Sequence, residues 1–266
     1  WSRWQSLSDW QSRPRDRRAA GMMSRYPMAL RNVLHAVFAT SLSMSAAHAC
    51  DIALVLAMDV SGSVDAHEFS LQTQGVASAL RDPAVTDALL HGRVALAVVQ
   101  WSGAMEQTVS IPWVRMDEPA HIGRTAARIA TLPRAFAGGN TAVGEAIDIS
   151  VDLFSEVRDC RHWVIDVSGD GDENEGHTVG RARRAAWNRG ITINGLAIEG
   201  MATGQSISNF YRRWVVTPGG FVITAQSHDD FARAIRVKLL RELIPPMARA
   251  PHPRTDSETV RLAHLP

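Results

Sequence analysis

The chain has 266 residues, is 45% hydrophobic and carries a formal net charge of +1, which suits one sizeable buried core. That charge is uneven: residues 1–49 hold seven arginines against Asp9 and Asp16, so of 28 basic and 27 acidic residues, 21 and 25 remain from Cys50 onward, a balance of −4. A mildly acidic body with no basic run beside aromatic residues excludes the usual nucleic-acid footprint. With only Cys50 and Cys160 a cysteine-based zinc cluster is excluded, and none of the ten histidines stands in H-E-x-x-H spacing. Lys238, the only lysine, reads as compositional bias rather than chemistry.

Trp1 to Gly21 is rich in Arg, Ser and Trp, lacks helical or strand periodicity, and reads as a non-native N-terminal extension. From Met22 the pattern changes: Arg25 and Arg31 form a basic region, Val33 to Leu42 is mostly apolar, and Ala47-His48-Ala49 fits small-x-small cleavage. Residues 22–49 are therefore expected to be a secretory signal peptide cut near Ala49 and Cys50, which implies a periplasmic or secreted protein. The apolar stretch is well short of the ~20 residues that cross a bilayer, so no membrane span is expected in the mature chain. The competing reading is lipid attachment at Cys50, but a lipoprotein signal would carry Leu near position 47, where this chain has Ala.

Beyond Cys50, Ile52 to Met58, Val94 to Val99, His162 to Val167 and Ile191 to Ile198 are apolar runs, broken only by Asp166 and Asn194 in the last two. Unbroken apolar strands imply burial on both faces, hence a parallel sheet covered by helices. Between them, Asp65 with Glu68 forms a capping-box start, followed by Phe69, Val76 and Leu80 on one helical face. Thr108 to Trp113 predicts a short antiparallel edge strand, the place where Pro112 is tolerated. Ala142, Ala146, Ile149 and Leu153 repeat at helical spacing, and Val179 to Asn188 predicts a further helix stopped by Arg189-Gly190. Ser227, Asp229 and Asp230 open a last helix that buries Phe231, Ala234, Ile235 and Leu239. The alternation predicts a doubly wound α/β domain over 50–244, helices on both faces of a mostly parallel sheet. The Pro-rich polar stretch 245–266 is expected to be disordered.

Asp59-Val60-Ser61-Gly62-Ser63 stands where the first strand ends and the first helix begins, the edge at which open α/β sheets bind ligands. One carboxylate and two hydroxyls on a tight turn offer the oxygens that hard cations prefer. Taken alone, the same residues serve equally as a helix N-cap. They do not stand alone: Gly138-Gly139-Asn140-Thr141 supplies a hydroxyl at a second loop-to-helix junction, and Ser168-Gly169-Asp170-Gly171 a carboxylate after the third long strand.

In these three phrases the chain resembles the von Willebrand factor A (vWA) family, including the integrin inserted domains, whose metal-ion-dependent adhesion site is D-x-S-x-S, then a Thr after paired glycines, then an Asp. The likeness runs over about Asp51 to Leu240. The phrases Val164 to Gly171 and Gly190 to Leu196 look like an exported bacterial branch described as a domain of unknown function. The resemblance implies a Rossmann-like vWA fold and a site in which Ser61 and Ser63 bind the metal directly. It implies that Thr141 does so when a partner is engaged, and that Asp59 and Asp170 act directly or through water. With Mg²⁺, or Mn²⁺ or Ca²⁺, held mainly by neutral oxygens, an Asp or Glu of a partner protein completes the coordination.

Competing motifs fail on particular residues. Asp170-x-Asp172-x-Asn174 begins like a calcium loop, but Glu175 and Arg181 stand where Gly and an acid are required. The third glycine of a dinucleotide fingerprint is Asn174, beside charges that would repel a pyrophosphate. Asp172, Glu173 and Glu175 are expected to form an acidic rim that could select the partner. If Asp59 and Asp170 meet at one metal, Cys50 and Cys160, nine and ten residues earlier, lie together at the far ends of adjacent strands, and a disulfide is expected. Asp166 and Asn194, at matching depths, are expected to hydrogen-bond each other.

The function this predicts is a non-enzymatic, divalent-cation-dependent protein-binding module. Two rivals use the same site: a metal-assisted phosphoester hydrolase, for which no activated base is evident, and an accessory subunit of an ATP-driven chelatase, which export would separate from ATP.

Overall fold

The computed structural model describes residues 50–200 and 206–243. The expected extension at 1–21, signal peptide at 22–49 and tail at 245–266 lie outside the described residues. Among the described residues no helix is long and apolar enough to cross a membrane.

The central strand β1 (Cys50–Asp59) is buried along almost its whole length. Because successive Cβ atoms alternate across a strand, Ile52, Leu54, Leu56 and Met58 feed one hydrophobic layer and Ala53, Val55 and Ala57 the other. The first layer is covered by α1 (Ala66–Arg81), α2 (Pro83–His91), α3 (Pro119–Ala130) and α7 (Phe231–Leu243). The second is covered by α4 (Val143–Leu153), α5 (Val179–Asn188) and the segment in which α6 (Ile207–Phe210) runs into a wider π-type turn, Tyr211–Val215. The remaining strands are β2 (Ala95–Trp101), β3 (Gln107–Arg115), β4 (Cys160–Gly169), β5 (Ile191–Ile198) and β6 (Val222–Ala225).

The six-stranded sheet has the order β3-β2-β1-β4-β5-β6, all parallel except β3, which runs antiparallel to β2 at the edge. The doubly wound mostly parallel architecture is therefore present, and the expected edge strand lies within β3 with Pro112 exposed. From β1 the chain winds outward through β2 and then, after crossing back, through β4. The carboxyl ends of β1 and β4 thus open a crevice at the switch point of the sheet.

Local chemistry sets the element ends. At α1, Asp65 Oδ1 accepts from the Glu68 N–H and Glu68 Oε2 from the Asp65 N–H, both at 2.8 Å, the reciprocal cap read from the sequence. Four elements were not anticipated: α2, α3, the 207–215 segment and β6. The first two begin at prolines, and β6 contributes only four residues at the sheet edge. Cys50 and Cys160 are register partners on β1 and β4 and form a disulfide, with Cα atoms 4.4 Å apart.

The interior departs from expectation at one place. Asp166 and Asn194 are register partners on β4 and β5, as their depths implied, but they do not bond each other. Lys238 of α7 is fully buried and reaches in, its Nζ 2.5 Å from Asp166 Oδ1 and 2.6 Å from Glu242 Oε1. Asn194 Nδ2 donates to Glu242 Oε1 at 2.9 Å and its Oδ1 accepts from the Phe221 N–H at 3.1 Å. The reading of the sole lysine as compositional bias is thus corrected: a cation on the covering helix, not a neighbouring amide, compensates the Asp166 carboxylate. Burial raises the pKa of both carboxyls, Glu242 to about 7, while the Lys238 ammonium opposes the rise.

Two outcomes follow from this framework. Alkylation of the unfolded chain without reductant should leave its mass unchanged and after reduction add two alkyl groups, with reduction costing about 2–5 kcal/mol of stability; alkylation before reduction would refute the bridge. Lys238→Met should destabilise the domain by about 3–5 kcal/mol in urea unfolding, since it strands two buried carboxyls; a loss under ~1 kcal/mol would show that the cluster contributes little.

Candidate metal centre

Asp59 closes β1 with its side chain fully buried. Its Oδ1 accepts from the Ser61 N–H at 2.8 Å, which curls the chain into the turn, while Oδ2 has no hydrogen-bond partner among the described residues. Ser61 is buried behind it, with its Oγ 3.2 Å from Ser63 Oγ. Arg134 locks the outside of this turn by donating to the carbonyls of Val60 and Ser61, each at 2.9 Å.

The second loop approaches because of its paired glycines. Gly138 and Gly139 have φ of +86° and +104°, and Gly139 O accepts from the Gly62 N–H at 3.0 Å. A Cβ on Gly139 would lie 2.4 Å from Glu106 Oε2 and 2.5 Å from Ser102 Oγ, so both the conformation and the space require glycine. Beyond it Thr141 is gripped on both sides: its N–H donates to Asn174 Oδ1 at 2.8 Å and its carbonyl accepts from the Asn174 and Glu175 N–H groups. That hold points Thr141 Oγ1 at Ser61 Oγ, 3.4 Å away.

The third loop leaves β4 at Gly169, where a Cβ would meet Tyr211 Oη at 2.6 Å and Asp59 Oδ2 at 2.7 Å. Asp170 follows, its Oδ1 accepting from Ser63 Oγ at 2.6 Å. Asp59, Ser61, Ser63, Thr141 and Asp170 are thus brought together as one chain of oxygen contacts across the carboxyl edge of the sheet. Burial, then the nearby Asp170 charge, pushes the Asp59 carboxyl up to about 7, and burial likewise raises Asp170. Burial, reinforced by the adjacent carboxylates, also lifts the Tyr211 hydroxyl well above its usual range.

A hard divalent cation fits this donor set: the ligand atoms are all oxygen, three are hydroxyls, and one buried carboxylate oxygen lacks any partner. Such an ion would be held by Ser61, Ser63 and Thr141 with Asp59 and Asp170. It would supply positive charge to two carboxylates, of which Asp59 has no cationic side chain beside it among the described residues.

The residues read as an acidic rim divide. Asp172 is exposed, but Glu173 accepts from the N–H groups of Gly144 and Val179 at the starts of α4 and α5, and Glu175 accepts from Ala104 N–H at 2.9 Å. The orphan donors of two helix starts and a hairpin draw those two carboxylates inward. Residues missed by sequence reasoning include Arg134, Asn174 and Ser102, which act through contacts dozens of positions away that no local spacing signals, and Glu106, which caps its own hairpin at Gly103 N–H and lies against Gly139.

Residues 49–247 match the profile of a family described as protein of unknown function (DUF1194). The chain belongs to that family. No curated relative matches it. Solved structures show what fold the DUF1194 domain has. It is similar to a von Willebrand factor type A protein from Catenulispora acidiphila, at 16% identity over 73% of this chain and 43% of that one, with a TM-score of 0.51. It is similar too to the pilus adhesin SpaC from Lactobacillus rhamnosus GG, at 12% identity, 73% and 30% coverage and TM-score 0.55. A third likeness is to proximal thread matrix protein 1 of the mussel byssus, solved with a zinc-occupied MIDAS motif, at 16% identity, 74% and 46% coverage and TM-score 0.54. The chain spans under half the length of each of these proteins. The DUF1194 domain is therefore vWA-like in fold.

The buried Asp59 carboxyl gives a signed pH test. Its folded pKa of about 7 lies above the ordinary 3.8, so its contribution to stability is present at low pH and lost as the pH rises through about 7. In chelator, Asp59→Asn should become progressively more stable relative to wild type between pH 4 and 8, as read by urea unfolding. A difference that does not change with pH would show that this carboxyl is not strained by its burial.

Proposed function

We propose that this DUF1194 domain is a divalent-cation-dependent protein-binding module, in which a cation at the Asp59, Ser61, Ser63, Thr141 and Asp170 cluster grips an acidic residue of a partner. The observation that carries the reading is the meeting of those five side chains from three separate loops at the switch point of the sheet, with Asp59 Oδ2 buried and unpartnered. Hydroxyls leave a bound cation's charge incompletely quenched, so a carboxylate from outside is attracted to it. Mg²⁺ is the expected ion, with Mn²⁺ and Ca²⁺ as alternatives, and the zinc found in the MIDAS motif of the mussel protein supports a divalent site in this fold.

The surroundings suit adhesion. Met105, 94% exposed, stands on the β2–β3 hairpin that Glu175 ties to the third loop, so an apolar contact is offered beside the charged one. No nucleophile and base pair is needed for gripping, and the reading is non-enzymatic. The signal-like segment at 22–49 supports an exported setting, where such a partner would be met.

Affinity capture from the exported fraction tests it, comparing wild type with Asp59→Ala, each with Mg²⁺ and with chelator. The expected result is a partner retained only by wild type with cation and released by chelator. An identical captured set in all four arms would sink metal-dependent adhesion.

A further inference from the structure

His228 lies in the short 3₁₀ turn His228–Asp230 that leads into α7, and its ring is wedged between the first turn of α1 and the end of β4. Its Nδ1 is 3.0 Å from Glu68 Oε1, and its Nε2 is 3.8 Å from Asp170 Oδ2. The imidazole and the Asp170 side chain are only 11% and 10% exposed. Glu68 is fixed in turn, because its other oxygen caps α1 by accepting from Asp65 N–H. An ionised carboxylate can only accept, so Nδ1 carries the proton of that contact. Nε2 is buried and has no hydrogen-bond partner among the described residues. It faces a carboxylate oxygen across a gap too long for a hydrogen bond. A buried ring nitrogen and a buried carboxylate oxygen at that spacing leave room for one positive ion between them.

We propose that His228 Nε2 and Asp170 Oδ2 are ligands of a second cation, adjoining the first site and sharing Asp170 with it. His228 Nε2 and Asp170 Oδ2, 3.8 Å apart, are close enough for a single ion to bridge, and with Glu68 they form a group whose potential ligand atoms all lie within 4.8 Å of one another. Asp170 suits a bridging role because its Oδ1 is turned toward Ser63 and the first site while its Oδ2 faces His228. Glu68 plays the part of the carboxylate that receives the far N–H of a metal-bound histidine, setting its tautomer and orientation. A nitrogen donor shifts preference away from Mg²⁺ and Ca²⁺ toward ions of the Zn²⁺ class. The second position therefore takes Zn²⁺, with water completing a site that has two protein ligands.

The test uses the full chain, with Zn²⁺ and Mg²⁺ each titrated alone by calorimetry, and the histidine side-chain nitrogens followed by NMR. His228→Gln should lose one Zn²⁺ per chain and leave Mg²⁺ binding within about twofold of wild type, whereas His91→Gln, a surface control, should lose none. Glu68→Gln, which keeps a capping side chain, should weaken that Zn²⁺ by about 10- to 100-fold. In wild type, the Nε2 resonance of His228 should move to a metal-bound position on adding Zn²⁺. An unchanged zinc count in His228→Gln overturns the proposal, as does an imidazolium spectrum for His228 that zinc leaves in place. The proposal shares Asp170 with the function proposed above, but the two fail separately: unaltered Mg²⁺ binding in Asp59→Ala counts against the first site only, and an unaltered zinc count in His228→Gln against the second only.

Discussion

A carboxylate at the end of the central strand, shut away from water with one oxygen unanswered, is the constraint around which this molecule is arranged. Asp59 lies where β1 runs out, at the point from which strands spread in both directions, and ordinary folding would not leave charge there. The surrounding architecture brings partial compensation from far along the chain. Ser61 supplies a backbone N–H, the paired glycines let a second loop approach, and Gly169 leaves the space in which Asp59 and Tyr211 meet the third. Each loop is further held from behind by groups that never face the cluster, such as Arg134 on the first and Asn174 on the second. The donor atoms are preorganised, so a ligand entering the site need not order them itself.

Several acidic side chains serve two demands at once. Glu68 caps α1 with one oxygen and steers His228 with the other, and Glu173 satisfies the starts of both α4 and α5. The helix termini around the crevice are thereby coupled to the loops that form it. Deeper along β4, the Asp166, Lys238 and Glu242 cluster anchors α7 to the sheet interior, and α7 is the helix that His228 precedes. The last helix thus meets buried charge at Asp166 within β4, and the turn that leads into it meets Asp170 just past the end of that strand.

What could be read from residues alone was the part written in local spacing. Apolar runs marked the four long parallel strands, and Asp59, Ser61, Ser63, Thr141 and Asp170 announced themselves because the elements that carry them end in recognisable turns. Pairing of Cys50 with Cys160 followed once the two aspartates were taken to meet. What escaped was settled by contacts between distant segments. Lys238 stands at helical spacing from Phe231, Ala234 and Ile235, on the face that the last helix buries, but the carboxylates that answer its charge are supplied by the packing of α7 on β4 and by its own next turn. His228 stands in a polar turn with no metal-ligand spacing around it, and its neighbours are 160 and 58 positions away in sequence. Glu173 and Glu175 looked like a solvated acidic run because composition cannot show that two helix starts and a hairpin would need their oxygens.

The disulfide lies at the end of β1 and β4 opposite the cation cluster, and that placement has a mechanical meaning. A pull applied at the rim enters the sheet along these two parallel neighbours, β1 ending in Asp59 and β4 leading directly into Asp170. Parallel strands loaded lengthwise resist through all their cross-strand bonds together, provided that neither can creep past the other. The covalent link between Cys50 and Cys160 forbids that creep at the far end. Tension would then be shared by both strands as a single cable, and the register that brings the ends of β1 and β4 side by side would persist under load.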